Sequence, residues 1–302
     1  MIYTLTLNPS NDYVVALDRM ELGTINRNRE EDIVFGGKGI NVSSMLNHLH
    51  QETTALGFIA GFTGEALKKG IEDAGIHTDF IVIPNGFTRI NVKIHAHEES
   101  EINGQGPKIQ KIYIEKLFDK IKKLKDGDFL VLSGNLPRMI PKNIYAMIMN
   151  LIKNKEIKVI VDAFGEPLMH ALQYHPFLVK PNHKELQELY QLKDINIDTL
   201  VQGAYRLQQD GARNVLISMA EQGAILVTEN QEVLRMRSPS GKVVNSVGAG
   251  DSMVAGFLYG WLQNYSYKEA LQWGIACGSA SAFTKGIASK EEVEKIYQSM
   301  KK

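Results

Sequence analysis

The chain has 302 residues and carries 34 Lys+Arg against 34 Asp+Glu, so its formal net charge is zero. That length supplies one large α/β domain or two smaller ones with ample core, and the charge balance excludes a general binder of nucleic acid or anionic membranes. The single cysteine, Cys277, lies in an apolar, small-residue run; it reads as core, excludes an intrachain disulfide framework and fits a reducing cytoplasm. Residues 1–9 lack the features of a signal peptide, and no apolar run reaches membrane-spanning length.

Residues 2–7 predict a strand that turns at Asn8-Pro9. Asp12 then falls just past the strand's C-terminal end, where ligands sit in open α/β sheets. Residues 13–33 read as short strands. Gly36-Gly37-Lys38-Gly39-Ile40-Asn41-Val42 is a glycine-rich turn that opens a helix with Val42, Met45, Leu46 and Leu49 on its apolar face. It suits an anion, a cluster of sugar hydroxyls, or a purely structural turn. Gly39 after Lys38 excludes a Walker A loop, and Val42 excludes Gly-x-Gly-x-x-Gly. Strands are expected at 54–59 and 80–83, with a helix at 65–72. Residues 88–94 alternate, with Arg89, Asn91 and Lys93 on one face and Ile90, Val92 and Ile94 on the other. A two-faced strand predicts a small sheet outside the main core, its polar face either solvated or covering an anionic ligand. His95 and His97 share a strand face without a carboxylate or cysteine pattern nearby, and read as solvated rather than metal-binding.

Helices at 112–125, 143–154, 184–190, 200–210, 253–263, 268–284 and 290–300 are interleaved with apolar strands at 128–133, 158–162, 177–182 and 215–218. Residues 224–228 and 232–236 read as an antiparallel pair. The alternation predicts an α/β fold with a doubly wound, mostly parallel sheet. Several strands end in polar residues, namely Asp12, Ser133-Gly134, Asp162, Lys180-Pro181-Asn182 and Ser218, which predicts one shared cleft.

Asn245-Ser246-Val247-Gly248-Ala249-Gly250-Asp251 organises the rest. Glycines let the N–H groups of Gly248, Ala249 and Gly250 converge, and the helix start behind them adds partial positive charge. A carboxylate beside such an anion hole makes sense as a base that takes a hydroxyl proton while the hole holds a phosphate under attack. The plain alternative is a tight turn with an N-capping Asp.

Gly36–Val42 and Gly248–Asp251, in this order and separation, resemble the two signatures of the ribokinase-like (PfkB) sugar kinases, over nearly the whole chain. Thr6-Leu7-Asn8-Pro9-Ser10-x-Asp12, Thr88–Lys93, Leu132–Pro137 and Lys180–Leu186 resemble the branch acting on phosphorylated hexoses. Glu101–Pro107 inclines toward fructose 1-phosphate as acceptor, with tagatose 6-phosphate as the alternative. The resemblance implies a large kinase domain (1–9, 31–85 and 107–302) and a small β lid (10–30 and 86–106) that often pairs with a second subunit's lid, giving a homodimer. It implies Asp251 as base, with the N–H groups of Gly248, Ala249 and Gly250 on the transferring phosphoryl group. Asp12, Gly37, Asn41 and Asn91 would meet the sugar; Lys38, Arg27 and Arg89 would meet its phosphate. ATP would lie against Lys180, Asn182, Ser218, Gly223, Gly278 and Ser281. Glu185, in Asn182-His183-Lys184-Glu185, would organise Mg²⁺ through water. Two segments depart from the family pattern: Ser218-Met219-Ala220 stands for Ser-Leu-Gly, and Asp162-Ala163-Phe164-Gly165 for Asp-Thr/Ser-Ser-Gly. The competing classes are a non-catalytic sugar-phosphate-binding regulator and a dinucleotide-dependent oxidoreductase; the intact Gly248–Asp251 motif argues against the first and the missing Gly-x-Gly-x-x-Gly against the second.

Overall fold

In the computed structural model, which describes residues 1–137 and 139–301, the first half contains β1 (Ile2–Thr6), β2 (Ser10–Ala16), β3 (Glu30–Gly36), α1 (Lys38–His48), β4 (Thr53–Ala60), α2 (Gly61–Asp73), β5 (His77–Thr78), β6 (Ile81–Ile83), β7 (Arg89–His95), β8 (Ser100–Asn103), α3 (Lys111–Ile121) and β9 (Phe129–Ser133). The middle contributes α4 (Ile144–Ile152), β10 (Lys158–Asp162), α5 (Glu166–Leu172), β11 (Leu178–Val179), α6 (His183–Tyr190), α7 (Ile197–Gln209) and β12 (Asn214–Ser218). The chain ends with β13 (Ala224–Val227), β14 (Val233–Met236), α8 (Ala249–Leu262), α9 (Tyr267–Ala282) and α10 (Lys290–Ser299).

The large sheet runs β14-β13-β12-β11-β10-β9-β1-β4-β5, with β6 also on β4. It is parallel except at the antiparallel pairs β12–β13 and β13–β14. Its central strands are apolar on both sides because helices cover both faces: Leu5, Leu130, Leu132 and Val161 pack toward α3 and α4, while Ile2, Val131 and Ile160 pack toward α1 and α8. No helix among the described residues is long and apolar enough to cross a membrane.

The elements follow the sequence expectations with three differences. The first is α5, over a stretch for which no helix is expected; Pro167 near its start and the buried Leu168, Ala171 and Leu172 explain it. The second is β11, which covers only Leu178–Val179, because Pro181 has no N–H to extend the ladder. The third concerns the small sheet, ordered β3-β2-β7-β8. Its strand β3 covers Glu30–Gly36, so residues 31–36, expected in the larger part, pair with the small sheet. Ser10 to Ala16 pair antiparallel with Gly36 to Glu30, so the small sheet ends at the glycine turn that starts α1.

Candidate active site

Thr6, Ser133 and Asp162 stand side by side at the C-terminal ends of β1, β9 and β10. Above this row α1 comes very close to β1. A Cβ on Gly37 would lie 2.6 Å from Thr6 Cγ2, and one on Gly39 would lie 2.6 Å from Thr6 Oγ1. Gly37 also holds φ 133°, a region L side chains avoid. These two glycines let the first turn of α1 settle on the strand ends, so Lys38 and Asn41, three residues apart, project from one side. Lys38 Nζ lies 3.2 Å from Asp162 Oδ1, and Asn41 Nδ2 donates to Asp251 Oδ2 at 2.8 Å.

The small sheet supplies the opposite wall. Ser10, Asp12 and Asn91 are buried on its inward face, where Ser10 Oγ and Asn91 Nδ2 both donate to Asp12 Oδ1 at 2.7 Å. Lys93 Nζ stands 4.0 Å from Asp12 Oδ2 and 2.8 Å from Glu101 Oε1. Arg89, in register with Ser10, donates from Nε to the Asn8 carbonyl at 3.1 Å. Burial pulls its guanidinium below the ordinary value while Asp12 opposes that fall. The polar face expected from the 88–94 alternation is thus the inward one. Its apolar neighbours Ile33, Ile90 and Ile102 are 58%, 41% and 61% exposed on the other side.

Asp251 lies in the first turn of α8 and is buried. Gly248 caps that helix with φ 80°, a left-handed conformation suited to glycine. The anion hole differs in one member from expectation. The N–H of Ala249 donates to the Ser246 carbonyl at 3.3 Å, whereas among the described residues no backbone carbonyl accepts from Gly248, Gly250 or Asp251. The open donors are therefore those of Gly248, Gly250 and Asp251 itself. Burial, then the charge of Asp162, pushes the Asp251 carboxyl up to about 6; the Asn41 hydrogen bond, Lys38 and Lys180 pull the other way. A base of that strength is mostly ionised at neutral pH yet still competent to take a proton.

The residues expected around ATP separate into three groups. Lys180 is buried, with Nζ 3.4 Å from Asp162 Oδ1, and a Cβ on Gly250 would lie 3.3 Å from that Nζ. It therefore reaches the start of α8. Asn182 and Glu185 form a capping box at the start of α6: Asn182 Oδ1 accepts from the N–H of Lys184 and Glu185, and Glu185 Oε2 accepts from the Asn182 N–H at 2.8 Å. Asn182 also bridges to Ser218 at the end of β12. Gly223 holds φ 92° in the following turn, where a Cβ would lie 2.0 Å from the Met236 carbonyl. Gly278 and Ser281, by contrast, are not brought to the cleft. Gly278 lets α9 pack on α8, a Cβ there lying 3.0 Å from the Ala249 carbonyl. Ser281 is fully buried, with its hydroxyl shared between Ser252 Oγ at 2.9 Å and the Ala288 N–H at 3.2 Å.

Arg27 is exposed in the loop between β2 and β3 and makes no ion pair or hydrogen bond among the described residues, so it does not join Arg89 here. Among those residues no group of three or more His, Cys, Asp or Glu could hold a metal, and His95 and His97 are exposed. Cys277 is buried core. The departures from the family pattern have visible consequences. Ala220 takes φ 50°, a conformation glycine would favour, and Ala163 and Phe164 help line an open pocket of about 270 Å³ beside Gly134 and Asn135. Asp162 and Lys93 carry no assigned role in the sequence pattern, which places Asp162 only among the polar strand ends of a shared cleft and Lys93 only on the polar side of an alternating strand.

The comparisons agree with this geometry. The profile of the pfkB family carbohydrate kinases matches residues 5–294. The chain is 41% identical over 301 residues to 1-phosphofructokinase of Bacillus subtilis, covering 100% of this chain and 99% of that one. It is 36% identical to D-tagatose-1-phosphate kinase of Bacillus licheniformis, covering 97% and 96% of the two chains. The crystal structure of phosphofructokinase-2 from Escherichia coli in complex with substrates and products superposes with a TM-score of 0.94 at 29% identity, covering 100% of this chain and 99% of that one. The family match over residues 5–294 and the full-length likeness to sugar-phosphate kinases thus place the chain in the pfkB family of carbohydrate kinases.

Proposed function

We propose that this chain transfers the γ-phosphoryl group of ATP to fructose 1-phosphate, forming fructose 1,6-bisphosphate and ADP. One observation carries the chemistry: a buried carboxylate, Asp251, sits at a helix start with open N–H donors and a base strength near neutrality. Asp251 accepts the proton of the C6 hydroxyl as its oxygen attacks the γ-phosphorus. The bond to the β–γ bridging oxygen breaks and ADP leaves. The N–H groups of Gly248, Gly250 and Asp251 meet the charge on the transferring group, each such donor contributing about 10²–10³ in rate. Asp12, Gly37, Asn41 and Asn91 orient the sugar. Arg89 takes its phosphate from the small-sheet side, with Arg27 joining from its exposed loop, while Lys38, held by Asp162 at the start of α1, meets the transferring phosphoryl group. Closure of the small sheet as a lid excludes water.

ATP lies along Lys180, Asn182, Ser218 and Gly223. Mg²⁺ fits the residues present: one oxygen of Glu185 is occupied by the cap, the other makes no hydrogen bond among the described residues, and an ion held mainly by phosphates and water needs no protein cage. When bound with ATP, the ion neutralises phosphate charge. The small sheet pairs with the same sheet of a second copy; the exposed Ile33, Ile90 and Ile102 support a homodimer, measurable by light scattering. The reduced, buried Cys277 supports a cytoplasmic setting.

The acceptor rests on the full-length likeness to a 1-phosphofructokinase. It is tested by ADP release with fructose 1-phosphate, tagatose 1-phosphate, tagatose 6-phosphate, fructose 6-phosphate and free fructose side by side. The highest kcat/KM on fructose 1-phosphate is expected. A tagatose phosphate in first place would keep the mechanism and change the substrate; turnover of free fructose alone would remove Arg89 and Arg27 from the reading.

A further inference from the structure

We propose that Asp162 is a positioning residue for phosphoryl transfer: one oxygen of its carboxylate draws the Lys38 and Lys180 ammonium groups together beside the start of α8. The proposal rests on the kinase reading above. Asp162 is 1% exposed at the end of β10, and its Oδ1 receives Lys38 Nζ at 3.2 Å and Lys180 Nζ at 3.4 Å. The two lysines come from different elements, the first turn of α1 and the segment after β11, so no local geometry brings them together. Lys180 is 5% exposed, and a buried ammonium stays charged only beside a compensating charge. Its Nζ lies next to Gly250, whose N–H is one of the open donors. Two cations and the helix start therefore surround the place where negative charge passes from ATP to the sugar. The second oxygen of Asp162 and the hydroxyl of its in-register neighbour Ser133 are buried without partners among the described residues, so nothing else in that row competes for the lysines.

The same carboxylate acts on the base. Asp251 faces Asp162 from β10, Lys38 and Asn41 from α1, and Lys180 from the segment before α6; Lys38 in turn faces Glu185. Burial works against the charge of Lys38, and Asp162, then Asp251 and Glu185, overcome it. Burial likewise works to raise the Asp162 carboxyl, and Lys180 and Lys38 hold it below the ordinary range.

The test is Asp162→Asn, which keeps the shape and removes the charge, with Asp162→Glu as the charge-retaining variant. In protein carrying ¹³C-labelled lysine, Lys38 should titrate at lower pH in Asp162→Asn than in the wild type, and the surface lysines should not move. At saturating ATP and sugar phosphate, kcat should fall about 100-fold, in the range for loss of transition-state electrostatics. KM for the sugar phosphate should change less than about threefold, and the acid limb of the kcat/KM profile should move to lower pH. Asp162→Glu should recover part of kcat. An unshifted Lys38 overturns the proposal, as does recovery of Asp162→Asn by raised Mg²⁺, which would place the residue's action on the metal. A shifted Lys38 in Asp162→Asn, with a wild type that phosphorylates none of the sugars, would sink the kinase reading and leave the lysine pairing standing.

Discussion

The two glycine turns look alike in sequence and are glycine-rich for different physical reasons. At Gly37 and Gly39 the constraint is contact: each would drive a Cβ into Thr6 at 2.6 Å, so glycine is what lets α1 lie on β1. At Gly250 a Cβ would meet only the end of the Lys180 side chain at 3.3 Å, so packing does not demand glycine there. What remains is access: an open N–H at a helix start, beside a buried acid. The first turn is built to hold the fold and carries Lys38 and Asn41 with it; the second is built to be approached. Changes at Gly37 and Gly39 should therefore be felt in stability or sugar binding, and changes at Gly250 in turnover.

The largest expected effect tests the second turn. Asp251→Asn should lower kcat about 10³-fold, as loss of a general base does. In the wild type kcat/KM should fall below about pH 6, because the base must be ionised to act and its carboxyl is raised to about 6. The same shift makes Asp251 a liability to stability. Below the ordinary value of 3.8 the carboxyl is protonated whether folded or not, and no penalty exists. Between 3.8 and 6 the folded state binds the proton more tightly, so stability declines as pH rises; above 6 the full penalty is present. Asp251→Asn should therefore be more stable than the wild type at pH 7.5 by about 2 kcal/mol and equal to it near pH 4, as read by urea denaturation. A variant that keeps turnover removes the base from the mechanism.

Arg89→Ala should raise KM for the sugar phosphate about 30-fold and barely move KM for ATP, since a charge-assisted contact contributes about 1.5–3 kcal/mol. Equal effects on both would move Arg89 off the sugar side. Gly37→Ala should cost about 2 kcal/mol of stability through strain and overlap with Thr6, visible as a lower Tm. Gly250→Ala should leave Tm within a few degrees and lower kcat about tenfold, because a methyl group would stand in the approach to the open N–H. If Gly250→Ala unfolds the chain instead, the contrast between the turns is wrong. A third turn sharpens it: Ala220 holds φ 50° where glycine would be at ease, so Ala220→Gly should stabilise by about 0.5–1 kcal/mol.

Much of the site was legible because its members end strands or open helices, and both leave local marks. Asn41 meets Asp251 across 210 residues and Lys38 meets Asp162 at a strand end, while Asp12 lies buried with Ser10 and Asn91 on the small sheet. Gly278 and Ser281 show where family pattern and geometry part. Both lie on a helix that borders the site, but the sequence does not reveal which face of a helix buried all round turns inward. Glu185 shows a second difficulty: Asn-x-x-Glu at a helix start is a capping box as well as a metal pattern, and here the cap is made. Residues 31–36, expected in the larger part, pair with the small sheet, because strand identity is local while strand pairing is not.

The sequence by itself determined the alternation of strands and helices, the two glycine turns, the family and the acid that follows the second turn. All of these are set by residues close to one another in the chain. Only the tertiary structure decided that Asp162 gathers two lysines, that Ala249 gives up its N–H to Ser246, and that burial raises the Asp251 carboxyl to about 6. Charge pairing, desolvation and donor availability depend on which groups share a buried volume, and that is fixed by how distant segments pack.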